Sequence, residues 1–202
     1  MGWQTQSLST QTLSALIEAS SAINSTLNLQ EVLQAIAQSV PHVLRSEASS
    51  VLLLDRRRKK LIFRAVVGES SPSLIGTEFD ANLGIAGHVV KTGQPDIVQD
   101  VRSDDRHFRG IDAKSKGTFI TRGLIAAPLI HRGEILGVVE ALNKVGDELF
   151  SQDDLQLLMI FANLAASAVS NAQQHEKLQR ENQGLLETLA SRYEIIGTSA
   201  AL

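Results

Sequence analysis

The sequence predicts an α+β fold. An antiparallel sheet carries flanking helices, preceded by an N-terminal helix and followed by a long C-terminal helix. Three observations carry this. Apolar residues recur at helical spacing near both ends of the chain. Two pairs of β-rich runs, 50–54 with 61–67 and 124–130 with 135–142, are joined by short polar turns. A polar stretch at 102–118 separates the pairs, so the order is helix, strands, polar middle, strands, helix.

Composition sets the limits. The chain has 202 residues, enough for one domain of ordinary size with extra helices, or two very small domains. Apolar residues make up 43% and charged residues 20%, the balance of a folded protein. Only 4% is aromatic, so Leu, Ile, Val and Ala must build the core. A net charge of −3 draws nucleic acid to no whole face. No run of about 18 apolar residues marks a membrane span, and the N-terminus lacks the pattern of a secretion signal. There is no cysteine, which fits a cytoplasmic location and excludes thiol nucleophiles, thiolate metal sites and iron–sulfur clusters.

Residues 8–24 place Leu8, Leu13, Leu16, Ile17 and Ile23 on a loosely amphipathic helix. Asn28 is a suitable N-cap for the next helix, with Glu31 three residues on and Leu29, Val32, Leu33, Ile36 and Val40 at helical spacing. Pro41 marks the weakening of that helix. Ser50–Leu54, the polar turn 55–60 and Leu61–Val67 form a hairpin. After a Gly- and Ser-rich loop, residues 84–93 form a short helix stopped by Gly93, and 95–101 a short strand. The polar stretch 102–118 is long for a connection, and long ordered loops tend to be functional. Gly133 in His131-Arg-Gly-Glu134 suits a tight hairpin turn. The last helix starts near Asp153 and runs to about Ala190.

One set of residues, in this order and spacing, resembles the GAF domain. The set is Gly84-Ile-Ala-Gly87 with Thr92-Gly93-Gln-Pro95, Ala127-Pro128-Leu129, Gly133-Glu134-Ile-Leu-Gly137, Asn143-Lys144 with Phe150 and Asp154, and the tail Ala165–Ala172. The resemblance covers about residues 27–173 and implies the GAF fold. It also implies a regulatory module that holds a small ligand between sheet and a lid at 84–120, with a cyclic nucleotide or a 2-oxoacid among the ligand classes and none required. Ile85, Val98, Phe108, Phe119 and Leu124 are the candidate pocket residues.

Cyclic-nucleotide-binding members carry an Asn-Lys, a Phe and an Asp-Glu. Asn143, Lys144, Phe150 and Asp154 match, and Leu155 stands in place of the final Glu. The resemblance implies that Lys144 and Asp154 pair as a structural clamp. The residues agree: Asp153 and Asp154 fall in a helix's first turn, which the helix dipole favours, and Ser151 can cap it. If exposed, such a pair contributes about 1 kcal/mol or less.

No catalytic site is expected. The chain lacks G-x-x-x-x-G-K-[ST], G-x-G-x-x-G, G-x-S-x-G and H-E-x-x-H. Arg56–Lys60 reads as a solvated turn because no aromatics interleave with it. Asp104, Asp105 and His107 read as a polar loop, so no metal site is expected.

The segment Tyr193–Leu202 reads as separate from the long helix. Ile195, Ile196, Gly197, Ser199 and Ala201 resemble the opening of the AAA+ ATPase domain of NifA-like sigma-54-dependent transcription activators. The expected organisation is an N-terminal helix at 1–26, a GAF sensor at 27–173, a signalling linker helix at 174–192 and the start of an ATPase at 193–202. The alternative is a cyclic-nucleotide receptor domain of a cyclase or phosphodiesterase-type protein. The last helix also carries a heptad pattern. Leu164, Asn171, Leu178 and Leu185 fall at d, with Ala168, His175, Asn182 and Leu189 at a, which predicts a parallel homodimer whose seam Asn171 and His175 weaken. The expected partners are thus a second copy and the following ATPase, with no membrane and no direct nucleic-acid contact.

Overall fold

The computed structural model describes residues 10–68, 71–106, 108, 119–146 and 148–197, without the side chains of 10–12, 71–72 and 190–197. Helix α1 (Thr10–Ile23) and helix α2 (Leu29–Leu44) lead into strands β1 (Ser46–Asp55) and β2 (Lys60–Val67). The short helix α3 (Ser71–Leu74) and strand β3 (Glu78–Asp80) follow. Next come α4 (Gly84–Thr92), β4 (Asp96–Val98) and a 3-10 turn at Val101–Ser103. Strands β5 (Leu124–His131) and β6 (Glu134–Lys144) precede the long α5 (Gln152–Gly197). The six strands form one antiparallel sheet in the order β3-β2-β1-β6-β5-β4. This is the predicted α+β fold.

Both faces of the sheet are covered, and alternation along the strands divides the core in two. Val51, Leu53, Ile125, Ala127, Val139 and Ala141 face the layer formed by α1, α2 and α5. Leu52, Leu61, Phe63, Leu124, Ala126 and Val138 face the layer of α4 and the loops. Burial on both sides is why the central strands read as continuous apolar runs.

Helix α2 begins as predicted: the Asn28 side chain accepts from the amides of Gln30 and Glu31. Its end is not weakened at Pro41; the helix continues to Leu44, with Arg45 left-handed at φ 53° as its cap. Pro41 has no N–H for the Ala37 carbonyl four residues back. The buried Ser49 hydroxyl on β1 donates to that carbonyl at 2.5 Å instead. A neighbouring strand thus repairs the helix. Between β5 and β6 stands the tight turn expected at this hairpin, with Arg132 and Gly133 both left-handed at φ of 49° and 79°.

Elements that differ from the sequence reading include the short α3, inside the expected Gly- and Ser-rich loop. Strand β3 was not expected; it extends the sheet by pairing Leu61 with Phe79, and three residues are too few to show a period. Strand β1 starts at Ser46 rather than Ser50, because Ser46 and Ser49 sit inside with their hydroxyls bonded, Ser46 to Ala48 O nearby and Ser49 to Ala37 O on α2. Helix α5 runs to Gly197, so Tyr193–Gly197 is helical and not separate. No Gly or Pro stands between Leu185 and Ile196 to stop it, and β-branched residues only lower helix propensity. Ser199 and Ala201 of the ATPase-like segment lie outside the described residues. Helix α5 also contains a window long and apolar enough to cross a membrane, but most of it is buried against the domain.

Candidate ligand cavity

A cavity of about 110 Å³ lies between the sheet and α4. Its floor is built by β1 and β6, its side by Phe63 and Phe79, and its cover by Phe108, Phe119 and Ile85. The walls are mostly apolar. Phe63, Phe79 and Phe108 form a tilted aromatic series with ring centroids 5.9 and 5.7 Å apart. A space of this size holds several waters or a small ligand.

Of the expected pocket residues, Ile85, Phe108, Phe119 and Leu124 border the cavity. Val98 does not. It is buried in the same apolar layer, on the short edge strand β4 opposite Leu124, and Leu124 stands on the cavity wall. Phe63, Phe79, Ser50, Thr121 and Glu140 are among the further lining residues, and were not expected.

Glu140 is the most informative of these. It sits mid-strand in Val138-Val-Glu-Ala-Leu142, opposite Ser50 of β1 and Ala126 of β5. Its carboxyl accepts the Ser50 hydroxyl at 2.5 Å. Burial pushes the carboxyl above its ordinary value of 4.5, and the Ser50 bond opposes that only in part. The sequence did hold a signal: a lone acid inside a run that is apolar on both faces.

Both roots of the cover are pinned. On one side Arg106 is gripped by Asp104 at 2.7 Å and by Asp96, and these acids hold its guanidinium charged, its pKa raised. On the other side stands Asn143, left-handed at φ 54° and 2% exposed. Its Oδ1 accepts from the amides of Arg122 at 2.7 Å and Gly123 at 3.4 Å. Its Nδ2 donates to Ile120 O at 2.9 Å and to Glu47 at 3.0 Å. Glu47 also pairs with Arg122 at 2.8 Å, and that bond first, then Asn143, holds its carboxyl below the usual range. Residues 107 and 109–118, in the middle of the expected lid, lie outside the described residues.

The next residue, Lys144, places Nζ 2.6 Å from Asp154 Oδ1. Asp154 Oδ2 accepts from Ser151 N at 2.8 Å, while Asp154 N donates to Ser151 Oγ at 3.1 Å, which closes a capping box on α5. Lys144 also sits 5.7 Å from the centre of the Phe150 ring. The clamp is less exposed than the sequence suggested: its side chains are only 10% and 15% exposed, because buried Phe150 closes over the pair.

The expected dimer seam divides. Leu164, Leu178, Leu185 and Leu189 are exposed, and Asn182 is exposed with them. Ala168 is not available. It is packed in the main core, because this part of α5 lies on the sheet and α2.

The GAF domain family profile matches residues 26–170. The chain belongs to the GAF domain family. Among curated relatives, this GAF chain is 25% identical over 174 residues to a "Probable 3',5'-cyclic phosphodiesterase pde-5" of Caenorhabditis elegans, covering 82% of this chain and 24% of that protein. It is 24% identical over 170 residues to a "Nif-specific regulatory protein" of Azospirillum lipoferum, covering 83% and 27%. The chain thus spans about a quarter of the length of these relatives. Among solved structures, the GAF domain of a phosphoenolpyruvate-protein phosphotransferase from Coxiella burnetii superposes with a TM-score of 0.75 at 17% identity, over 85% of this chain and 99% of that one. A free methionine-R-sulfoxide reductase from Neisseria meningitidis gives 0.67 at 19%, over 87% and 99%. These likenesses establish the fold.

Proposed function

We propose that this GAF domain senses a small molecule in the cavity beside Phe108 and passes its ligand state through α5 to the AAA+ module of a bacterial sigma-54-dependent transcription activator. The observation that carries this is the unbroken path from cavity cover to helix. Asn143 binds the chain at 120–123. Lys144, next in sequence, holds Asp154 in the first turn of α5. A ligand that repositions Phe119 or Thr121 pulls on this path. Likeness to the Nif-specific regulator over most of the chain supports the choice of output.

Two copies would join in parallel along α5. Leu178, Leu185, Leu186 and Leu189 are 51–66% exposed, and exposed apolar stripes of this kind mark interaction sites. A second reading, a cyclic-nucleotide-binding domain of a phosphodiesterase-type protein, draws on the Asn143, Lys144, Phe150 and Asp154 set and on the phosphodiesterase relatives.

Calorimetry with cAMP and cGMP, paired with hydrogen exchange, tests both. Tight cyclic-nucleotide binding selects the second reading. A metabolite found by thermal-shift screening that slows exchange at both 120–123 and 152–158 supports the first. A bound ligand that leaves 152–158 unchanged sinks the proposed path.

A further inference from the structure

We infer that the cavity takes a small, flat nitrogen base, an amine or amidine whose N–H groups point at the Glu140 carboxyl, and discriminates against carboxylate ligands. This rests on the sensing role proposed above and names the chemistry of its ligand.

The geometry argues as follows. Glu140 stands on the cavity wall and belongs to the innermost part of the sheet. One oxygen accepts the Ser50 hydroxyl; among the described residues the carboxyl has no other hydrogen bond and no ion pair. A carboxylate offers about four acceptor positions, so most are left for a ligand. Glu140 is also the only titratable side chain among the described residues that border the cavity. None of β1, β2, β3, α3, α4 or β5 brings a Lys, Arg, His, Asp or second Glu to it.

A buried acid with no cationic partner is costly unless a ligand supplies one. An amidine presents two parallel N–H groups that match the two oxygens of a carboxylate. Phe63, Phe79 and Phe108 line the cavity, and aromatic rings attract a planar cation. Among the described residues that border the cavity, a carboxylate ligand meets the opposite: no cation and an acid already present. Gly84, Ile85 and Ala86 at the start of α4 offer only a partial positive charge, so Glu140, ionised once the cation is bound, sets the preference at the donor end.

Binding then moves a proton. The free carboxyl, which burial makes hold its proton to a higher pH than usual, gives that proton to solvent as the protonated base enters and the ion pair forms. Affinity therefore rises with pH until Glu140 is already ionised in the free protein.

The test uses two probes of one shape and opposite charge, benzamidine and benzoate, titrated into the full chain by calorimetry at two pH values. The expected result is that benzamidine binds, more tightly at higher pH, with heats that vary with buffer ionisation as a proton is released. Benzoate does not bind. Glu140→Gln weakens benzamidine by about tenfold or more and abolishes the pH dependence. Should that variant not fold, the buffer dependence of the unmodified chain decides: no proton release overturns the inference. Benzoate binding as well as benzamidine also overturns it, while leaving the sensing role intact. Neither probe binding overturns it too, and if thermal-shift screening then finds no ligand at all, the sensing role falls with it.

Discussion

Lys144 Nζ lies 2.6 Å from Asp154 Oδ1, with both side chains shielded from water. An exposed pair of this type contributes about 1 kcal/mol or less. Here removal of Lys144 leaves a shielded carboxylate with, among the described residues, Ser151 alone to satisfy it. Lys144→Ala should cost about 3 kcal/mol in chemical unfolding. The double variant Lys144→Ala, Asp154→Ala should cost less than the sum of the two single ones. Additive losses would show that the pair does not act as a unit.

Asn143 meets two demands at once, a left-handed backbone and a buried set of hydrogen bonds. Asn143→Gly should keep the first and lose the second; Asn143→Ala should lose both. We expect losses of about 2 and 3 kcal/mol. Equal stability of the two variants would mean that the backbone conformation carries no strain.

Ser49 supplies the donor that Pro41 lacks. Ser49→Ala should leave the Ala37 carbonyl buried without a partner and destabilise by about 1–3 kcal/mol. Adding Pro41→Ala should restore the helix's own N–H and recover much of the loss. A double variant no more stable than Ser49→Ala would contradict this account.

Glu140 makes stability depend on pH in a defined direction. Its folded value lies above the ordinary 4.5, so the unfolded chain releases this proton first as pH rises. The stability linked to this group is therefore full below about pH 4.5 and is lost as pH rises toward the folded value. Glu140→Gln should match the unmodified chain at low pH and exceed it increasingly toward neutrality, as read from urea unfolding at stepped pH. A constant difference across that range would show that the carboxyl is not perturbed.

The exposed leucines on α5 predict self-association. Sedimentation equilibrium should give a dimer at micromolar concentration, and Leu178→Asp should return it to monomer. A monomer from the start, or a dimer indifferent to the charge, would remove the seam.

Much of the fold was legible because it rests on local patterns. The Asn28 cap, the Gly93 stop and the turn at Arg132-Gly133 are each set by a few neighbouring residues. Less of the cavity was legible. Ile85, Phe108, Phe119 and Leu124 were found from apolar anchors beside a polar stretch. Phe63, Phe79 and Glu140 were missed, because which face of a strand borders a cavity depends on what packs over it. Val98 fails for the same reason.

The sequence by itself determined the α+β order, most element positions and the residues of the clamp, since periodicity, caps and turns act within a few residues. Only the tertiary structure decided what those residues do. It carried α2 past Pro41 with a hydroxyl from another strand. It turned Ala168 inward while leaving Leu178 outside. It also put an acid from β6 on the wall of an apolar cavity. Each outcome depends on groups far apart in the chain brought within a few ångströms, where burial sets the strength of every polar contact.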